Sequence, residues 1–262
     1  MSLVTSVKAC PATIWEDYAR CYDSLRRLTP YMNMHRTIAS HVHAGVQETL
    51  LDASCGTGNF EQVLLESPMS HTMSIVGIDS SKEMLARARE KCAHTACVTF
   101  REANLNWPLA FETGSFTHIV SINTLYALEN PRYTLREFHR VLKSGGRLLL
   151  VTPQEYYENG EILREHCQST YPSSFWAHAH SSPEREEFLI REAIKEESVI
   201  EDMLTVARHN RAIARNGAFH FFTQEDLLSM LAEVGFSVTH SSLIYANQDI
   251  FVIATKGTPS CK

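Results

Sequence analysis

What the chain lacks narrows its function first. Nowhere do about 18 apolar residues follow one another, so no membrane span is expected. Residues 1–10 hold no apolar run flanked by basic residues, and no signal peptide is expected there. Positive charge is not in excess: 24 Lys and Arg stand against 30 Asp and Glu, a net charge of −6. That balance removes the electrostatic footprint of a DNA or RNA binder, so no nucleic-acid partner is expected. The cysteines Cys10, Cys21, Cys55, Cys92, Cys97, Cys167 and Cys261 are odd in number and show no CxxC spacing. This argues against a disulfide framework and a zinc knuckle, and fits reduced thiols in a cytoplasmic protein. There is no internal repeat and no low-complexity segment.

What is present is ordinary for a globular protein, with 44% hydrophobic and 21% charged residues. The length of 262 residues suits one domain, 1–262, or one domain with a sizeable insertion. A polar stretch dotted with aromatics, from Trp15 to Asp23, leads into a helix through Ala39. From Thr49 onward, short apolar runs alternate with helical patterns. Strands are predicted at 49–53, 74–78, 98–101, 117–122 and 147–152. Helices are predicted at 61–66, 81–91 and 133–142, with Ser80 or Ser81 as cap of the second and Ser144-Gly145-Gly146 closing the third. This alternation implies parallel strands joined by helical crossovers, an α/β fold.

The alternation breaks after Pro153. No strand is predicted up to Gly217, and 154–220 reads as a helical insertion. Ser181, Ser182 and Pro183 give a helix start, with Glu184 completing a capping box to Ser181, and Arg215-Asn216-Gly217 gives a stop. One straight helix of that length would be roughly 50 Å long, too long for the domain, so a break is expected near Glu197-Ser198. A helix at 223–234, capped by Thr223 and ended by Gly235, precedes two apolar runs, 236–239 and 250–255.

The most informative residues run from Leu50 to Phe60, LLDASCGTGNF. An apolar strand enters a turn of small residues and then a helix, and Gly56 and Gly58 let a ligand approach the main chain. Asp79 ends the next strand. A carboxylate there can accept hydrogen bonds from both hydroxyls of a ribose, which is the context required of a nucleotide-type site. Helix capping is the competing role for Asp79, but Ser80 and Ser81 can serve as caps equally well.

The stretch 50–152 resembles the class I S-adenosylmethionine-dependent methyltransferases, particularly the small-molecule branch. The resemblance rests on DASCGTGNF at 52–60, VGIDSSKEML at 76–85, GSFTHIVSINTLYAL at 114–128 and LREFHRVLKSGGRLLLVTP at 135–153. It extends to FFTQEDLLSMLAEVGFSV at 221–238. It implies a Rossmann-like methyltransferase fold, a mostly parallel seven-stranded sheet with an antiparallel last strand, and S-adenosylmethionine as cofactor. By position, Ser54, Gly56 and Gly58 would lie against the methionine part, Asp79 would hold the ribose hydroxyls, and Asn104 and Leu105 would edge the adenine. Asp52 and Ser80 are counted among the cofactor-binding residues on the same ground. Many relatives carry Asp where this chain has Asn104; an amide still offers an acceptor to the adenine amino group. Asn123 matches a position that touches the cofactor through its backbone. Tyr18 and Tyr22 match an N-terminal tyrosine motif that covers the amino-acid end, with packing of a first helix as their other role.

Methyl transfer from a sulfonium asks the protein mainly to align the acceptor and exclude water, and a general base is needed only where the acceptor must lose a proton. The resemblance implies an acceptor pocket built by the N-terminal segment, 123–128 and the insertion. The insertion offers Tyr156, Tyr157, His166, Tyr171, Trp176, His178, His180, His209 and His220. Tyr126, His178 and His180 are the catalytic candidates, histidine because it titrates near neutral pH. His178 and His180 without a third ligand at suitable spacing are too few for a metal, and none is expected. The aromatic content of the insertion favours a planar or partly apolar small-molecule acceptor. Two rivals remain open at this level: a nicotinamide-dependent oxidoreductase, although CGTGNF departs from GxGxxG, and a non-catalytic cofactor-binding subunit on the same fold.

Overall fold

The computed structural model describes residues 12–216 and 219–257. Two helices, α1 (Ala12–Tyr22) and α2 (Thr29–Ser40), lead into β1 (Thr49–Ala53). Then come α3 (Asn59–Leu64), β2 (Ser74–Asp79), α4 (Lys82–Lys91), β3 (Val98–Glu102), β4 (Phe116–Ile122), α5 (Pro131–Val141) and β5 (Leu142–Pro153). Four helices follow: α6 (Asn159–His166), α7 (Ser173–Trp176), α8 (Pro183–Ala193) and α9 (Glu197–Asn216). The chain ends its regular structure with α10 (Gln224–Val234), β6 (Phe236–Ile244) and β7 (Asp249–Lys256).

The strands form one seven-stranded sheet in the order β3-β2-β1-β4-β5-β7-β6. β7 runs antiparallel to both its neighbours and every other pairing is parallel, as the resemblance implied. Successive strand residues point to opposite faces. Leu50, Val120, Leu149, Val151, Phe251 and Ile253 join the core under α2, α6, α8 and α9. Leu51, Ile119, Leu148, Leu150, Ile250 and Val252 join the core under α5 and α10. With both faces covered, alternation of apolar and polar residues disappears, and the central strands read as continuous apolar runs.

The boundaries differ from the sequence reading where local geometry intervenes. The N-terminal helical stretch is split by a tight 3-10 turn over Asp23–Arg27, and Pro30 sits in the first turn of α2, where its missing N–H costs nothing. β5 starts at Leu142 rather than Arg147, because Ser144-Gly145-Gly146 forms an irregularity within its pairing to β4 instead of ending it. The cap of α8 is Ser182, whose Oγ accepts the Arg185 N–H at 3.1 Å, so the box from Ser181 to Glu184 is not formed. The helical break falls at 194–196, just before the predicted place. The stop expected at Gly217 lies outside the described residues. β6 runs on to Ile244 because a register shift between Val238 and His240 keeps it paired with β7. Thr223 and Gly235 bound α10 as expected; Thr223 Oγ1 accepts the Asp226 N–H and Gly235 has φ +104°. Among the described residues no helix is long and apolar enough to cross a membrane.

Candidate functional site

β1 and β4 are neighbours in the sheet, but the chain leaves β1 toward β2 and β4 toward β5. Opposed crossovers leave a crevice beyond the carboxyl ends of such strands. The loop 54–58 fills its floor. The Ser54 and Cys55 N–H groups donate to the Ile78 carbonyl at 2.8 and 2.9 Å, lacing the loop to β2. Ser54, Gly56 and Gly58 have φ of +76°, +54° and +79°, the left-handed region that side chains other than glycine avoid. At Gly58 a Cβ would stand 3.2 Å from the Ala88 Cα, so α4 approaches the start of α3 only because no side chain intervenes. Thr57 is tied down from below: its hydroxyl donates to Asp23 Oδ1 at 2.6 Å, and Lys91 Nζ bonds Thr57, Asn59 and Asp23.

Asp79 is half-buried at the end of β2. Its Oδ2 accepts the Gly56 N–H at 3.0 Å and its Oδ1 accepts the Ser81 N–H at 2.9 Å. Burial pushes its carboxyl above the usual range, and the backbone N–H bonds from Ser81, Gly56 and Ser80 oppose that shift. Behind the loop, Asp52 is 2% exposed and Glu61 is fully buried. Burial raises both; Glu61 and Asp79 push Asp52 further up, while Asp79 raises Glu61 and its bond to Asp52 opposes, leaving Glu61 at about 7. Two carboxylates meeting without water bond only when one holds a proton. Gly77 makes room for Glu61, since a Cβ there would stand 2.8 Å from Glu61 Oε1 and 2.7 Å from the Phe100 ring.

Two cavities open above this floor. One, of about 170 Å³, is lined by Ser54, Gly56, Asp79, Ser80, Met84, the 103–106 segment, Asn123 and Thr124, with Trp15 and Tyr22 over it. The other, of about 260 Å³, is walled by α1, α6, α8, α9 and the 245–247 turn. Trp15, Tyr22 and Asn123 line both, so the two cavities adjoin. α1 is held over the crevice by Glu16, whose carboxylate oxygens accept the Lys82 and Glu83 N–H groups at 2.9 and 2.8 Å. These are free donors at the start of α4, and an acidic group there also suits the helix dipole.

Of the residues expected to bind cofactor, Tyr22, Ser54, Gly56, Asp79, Ser80, Asn104, Leu105 and Asn123 line the first cavity. Gly58 is the left-handed cap of α3 beside it. Asp52 lies behind the loop facing Glu61, and Tyr18 faces the second cavity. One lone pair of Asn104 Oδ1 is taken by the Asn106 N–H at 2.9 Å. Tyr126 and His180 line the second cavity. His178 is exposed, with φ +60° and its N–H on Glu158, and does not line either cavity.

The other insertion candidates divide similarly. Tyr157 lines the second cavity. Trp176 is core, Tyr156 and Tyr171 are exposed, His166 bonds Thr29, and the His209 ring lies 5.5 Å from that of Tyr18. The His220 N–H donates to the Tyr126 carbonyl. Among the described residues no three His, Cys, Asp or Glu side chains gather as a metal site.

The sequence reading missed Trp15, Tyr31, Tyr245 and Phe219, which line the second cavity. A signal existed for Trp15: it stands three residues before Tyr18 and seven before Tyr22, the spacing of one helix face. Tyr245 sits in a turn whose residues Tyr245, Ala246 and Asn247 are all left-handed, and no local pattern announces that.

Residues 51–150 match the family model of a methyltransferase domain. A demethylmenaquinone methyltransferase from Oceanobacillus iheyensis is 25% identical over 142 residues, covering 53% of this chain and 59% of that protein. A malonyl-[acyl-carrier protein] O-methyltransferase from Paenibacillus sp. is 31% identical over 121 residues, covering 44% and 43%. The chain thus spans about half the length of these curated relatives. Among solved structures, an S-adenosylmethionine-dependent methyltransferase from Aquifex aeolicus superposes with a TM-score of 0.59 at 15% identity, over 92% of this chain and 98% of that one. A likeness at that identity establishes the fold. The segment 51–150 is thus similar to a methyltransferase domain, and the fold around it is that of the solved S-adenosylmethionine-dependent methyltransferase.

Proposed function

We propose that the chain transfers a methyl group from S-adenosylmethionine to a small molecule seated in the second cavity. The observation that carries this reading is the pair of adjoining cavities, one floored by the glycine loop and Asp79, the other apolar and aromatic. The residues present fit the cofactor. Asp79 offers a carboxylate to two ribose hydroxyls, Gly56 leaves the main chain open, and Ala103 and Leu105 give an apolar edge for a flat base. The remaining hydrogens of the Asn104 amide and its second lone pair are available to the base.

When bound, the cofactor supplies a methyl group on a sulfonium, an excellent leaving group. The chain's own residues then align the acceptor and keep water out. Trp15, Tyr22 and Asn123 stand where the two ligands would meet, with Tyr126 and His180 on the acceptor side. The helical segment 154–220 acts as the cover of the acceptor pocket. The net charge of −6 supports a small-molecule acceptor over a nucleic acid, and the unpaired thiols of Cys21, Cys55, Cys92, Cys97 and Cys167 support a cytoplasmic setting.

The test is a pair of melting curves. S-adenosylhomocysteine at about 100 times its Kd adds about 2.7 kcal/mol and raises Tm by several degrees, whereas NADH leaves it unmoved. A shift with NADH alone would transfer the site to the oxidoreductase reading.

A further inference from the structure

The second cavity has a definite charge character. Among the described residues no Lys or Arg lines it, while Trp15, Tyr18, Tyr22, Tyr126, Tyr157 and Tyr245 surround it with ring faces and hydroxyls. The carboxylate in its wall, Glu186, is buried, paired with Arg211 and 3.7 Å from His180 Nδ1. At the boundary with the cofactor cavity, Asn123 holds a left-handed backbone, φ +49°, and its Nδ2 donates to Asp249 Oδ2 at 2.8 Å. Asp249 is fully buried at the first position of β7. Its Oδ1 and the Asn123 Oδ1 are both buried without a hydrogen-bond partner. Burial pushes the Asp249 carboxyl up to about 7, with the Asn123 bond opposing the shift. Asn123 lines both cavities and Asp249, which lines neither, stands behind it, so the meeting point carries an acceptor that lacks a hydrogen. Orphaned buried acceptors cost stability unless something brings hydrogens to them.

Resting on the methyl-transfer reading, we propose that the acceptor is an amine, a primary or secondary nitrogen on an apolar body, recognised at Asn123 with Asp249 as the residue that positions it. A carboxylate or phosphate would meet no lining Lys or Arg among the described residues, and it would face aromatic rings and the buried Glu186. An amine supplies the N–H donor that Asn123 lacks, and its protonated form is drawn to aromatic faces. By taking one Nδ2 hydrogen, Asp249 fixes which end of the Asn123 amide remains to accept. In the transfer the neutral nitrogen's lone pair forms the N–C bond as the S–C bond of the sulfonium breaks. The electron pair stays on sulfur, and the ammonium product gives one proton to water.

The test uses the whole chain saturated with S-adenosylhomocysteine and three probes of one shape, titrated calorimetrically: tryptamine, tryptophol and indole-3-propionate. The expected result is tryptamine bound at least tenfold tighter than tryptophol, with no heat from the propionate. In Asn123→Ala and Asp249→Asn that preference falls below threefold, the fold of each variant being checked by its own melting curve with S-adenosylhomocysteine. Should a variant not fold, the three-probe comparison on the unaltered protein decides alone. Tryptophol or the propionate binding as tightly as tryptamine, or no heat from any probe, overturns the amine assignment and leaves methyl transfer standing. Absence of heat from S-adenosylhomocysteine itself overturns the reading beneath it.

Discussion

Asp52 and Glu61 are both buried beneath the glycine loop; burial raises both, Glu61 pushes Asp52 up further, and the bond to Asp52 opposes the rise at Glu61. At Glu61 the charge of Asp79 on β2 adds to the effect of burial, and Lys91 on α4 relieves part of it. A carboxyl raised in the folded state contributes stability that is fully present below its unfolded value, and that stability is lost as pH rises through the folded one. For Glu61 the window runs from the ordinary value 4.5 to about 7. Glu61→Gln removes the charge and can donate to Asp52. We expect it to melt like the parent at pH 5 and to be more stable at pH 8 by about 1–2 kcal/mol. Thermal melts across that range check this; parallel losses in the two proteins would show that the pair is not the source. Gly77→Ala should destabilise by about 1–3 kcal/mol, because its Cβ meets the Phe100 ring and Glu61 together. A melting curve within a degree of the parent would contradict that packing. At this scale Asp79 and the glycines were legible because strand, turn and helix followed in order. Glu61 was not, since a glutamate in a helix reads as surface until the sheet is laid against it.

At the scale of elements, α1 depends on α4. Glu16 Oε1 and Oε2 take the Lys82 and Glu83 N–H groups, and this places Trp15 and Tyr22 over the first cavity, the one proposed for the cofactor. Glu16→Ala leaves those donors to water and loosens the cover. We expect S-adenosylhomocysteine affinity to fall about threefold to tenfold, for about 1 kcal/mol of lost capping. Amide exchange should quicken over 15–22. Unchanged exchange there would mean that α1 is held by its packing alone. Ser81 as cap of α4 was legible, and its Oγ accepts the Met84 N–H at 3.1 Å. The α8 cap was misplaced by one residue, because adjacent serines offer the same chemistry and only the backbone angle at Ser182 selects between them. The reach of Glu16 across 66 residues to Lys82 has no sequence signature at all.

Over the whole molecule, the alternation of strands and helices gave the parallel part of the sheet and the resemblance implied seven strands with an antiparallel last one; the strand order was not read from the sequence. The resemblance implied a pocket among the N-terminal segment, 123–128 and the insertion, where the second cavity lies, but not its individual members, because α1, α6, α8, α9 and the turn before β7 are far apart in the chain. Aromatic content hinted at its character without giving its members. Val206 on α9 is 4% exposed and faces that cavity. Val206→Phe should fill part of the 260 Å³, abolish turnover of any acceptor and keep S-adenosylhomocysteine affinity within twofold. Loss of cofactor affinity as well would show that the two cavities are not separate compartments.

The central claim is that the loop at 54–58 and the carboxylate of Asp79 together hold the adenosyl ribose. Calorimetry of S-adenosylhomocysteine on the unaltered chain and on Asp79→Asn tests it most directly. The amide keeps the size and loses the charge of a group that makes hydrogen bonds worth about 1.5–3 kcal/mol, so affinity should drop by roughly 10- to 100-fold. Binding of equal strength in both proteins, or heat from neither, would contradict the account.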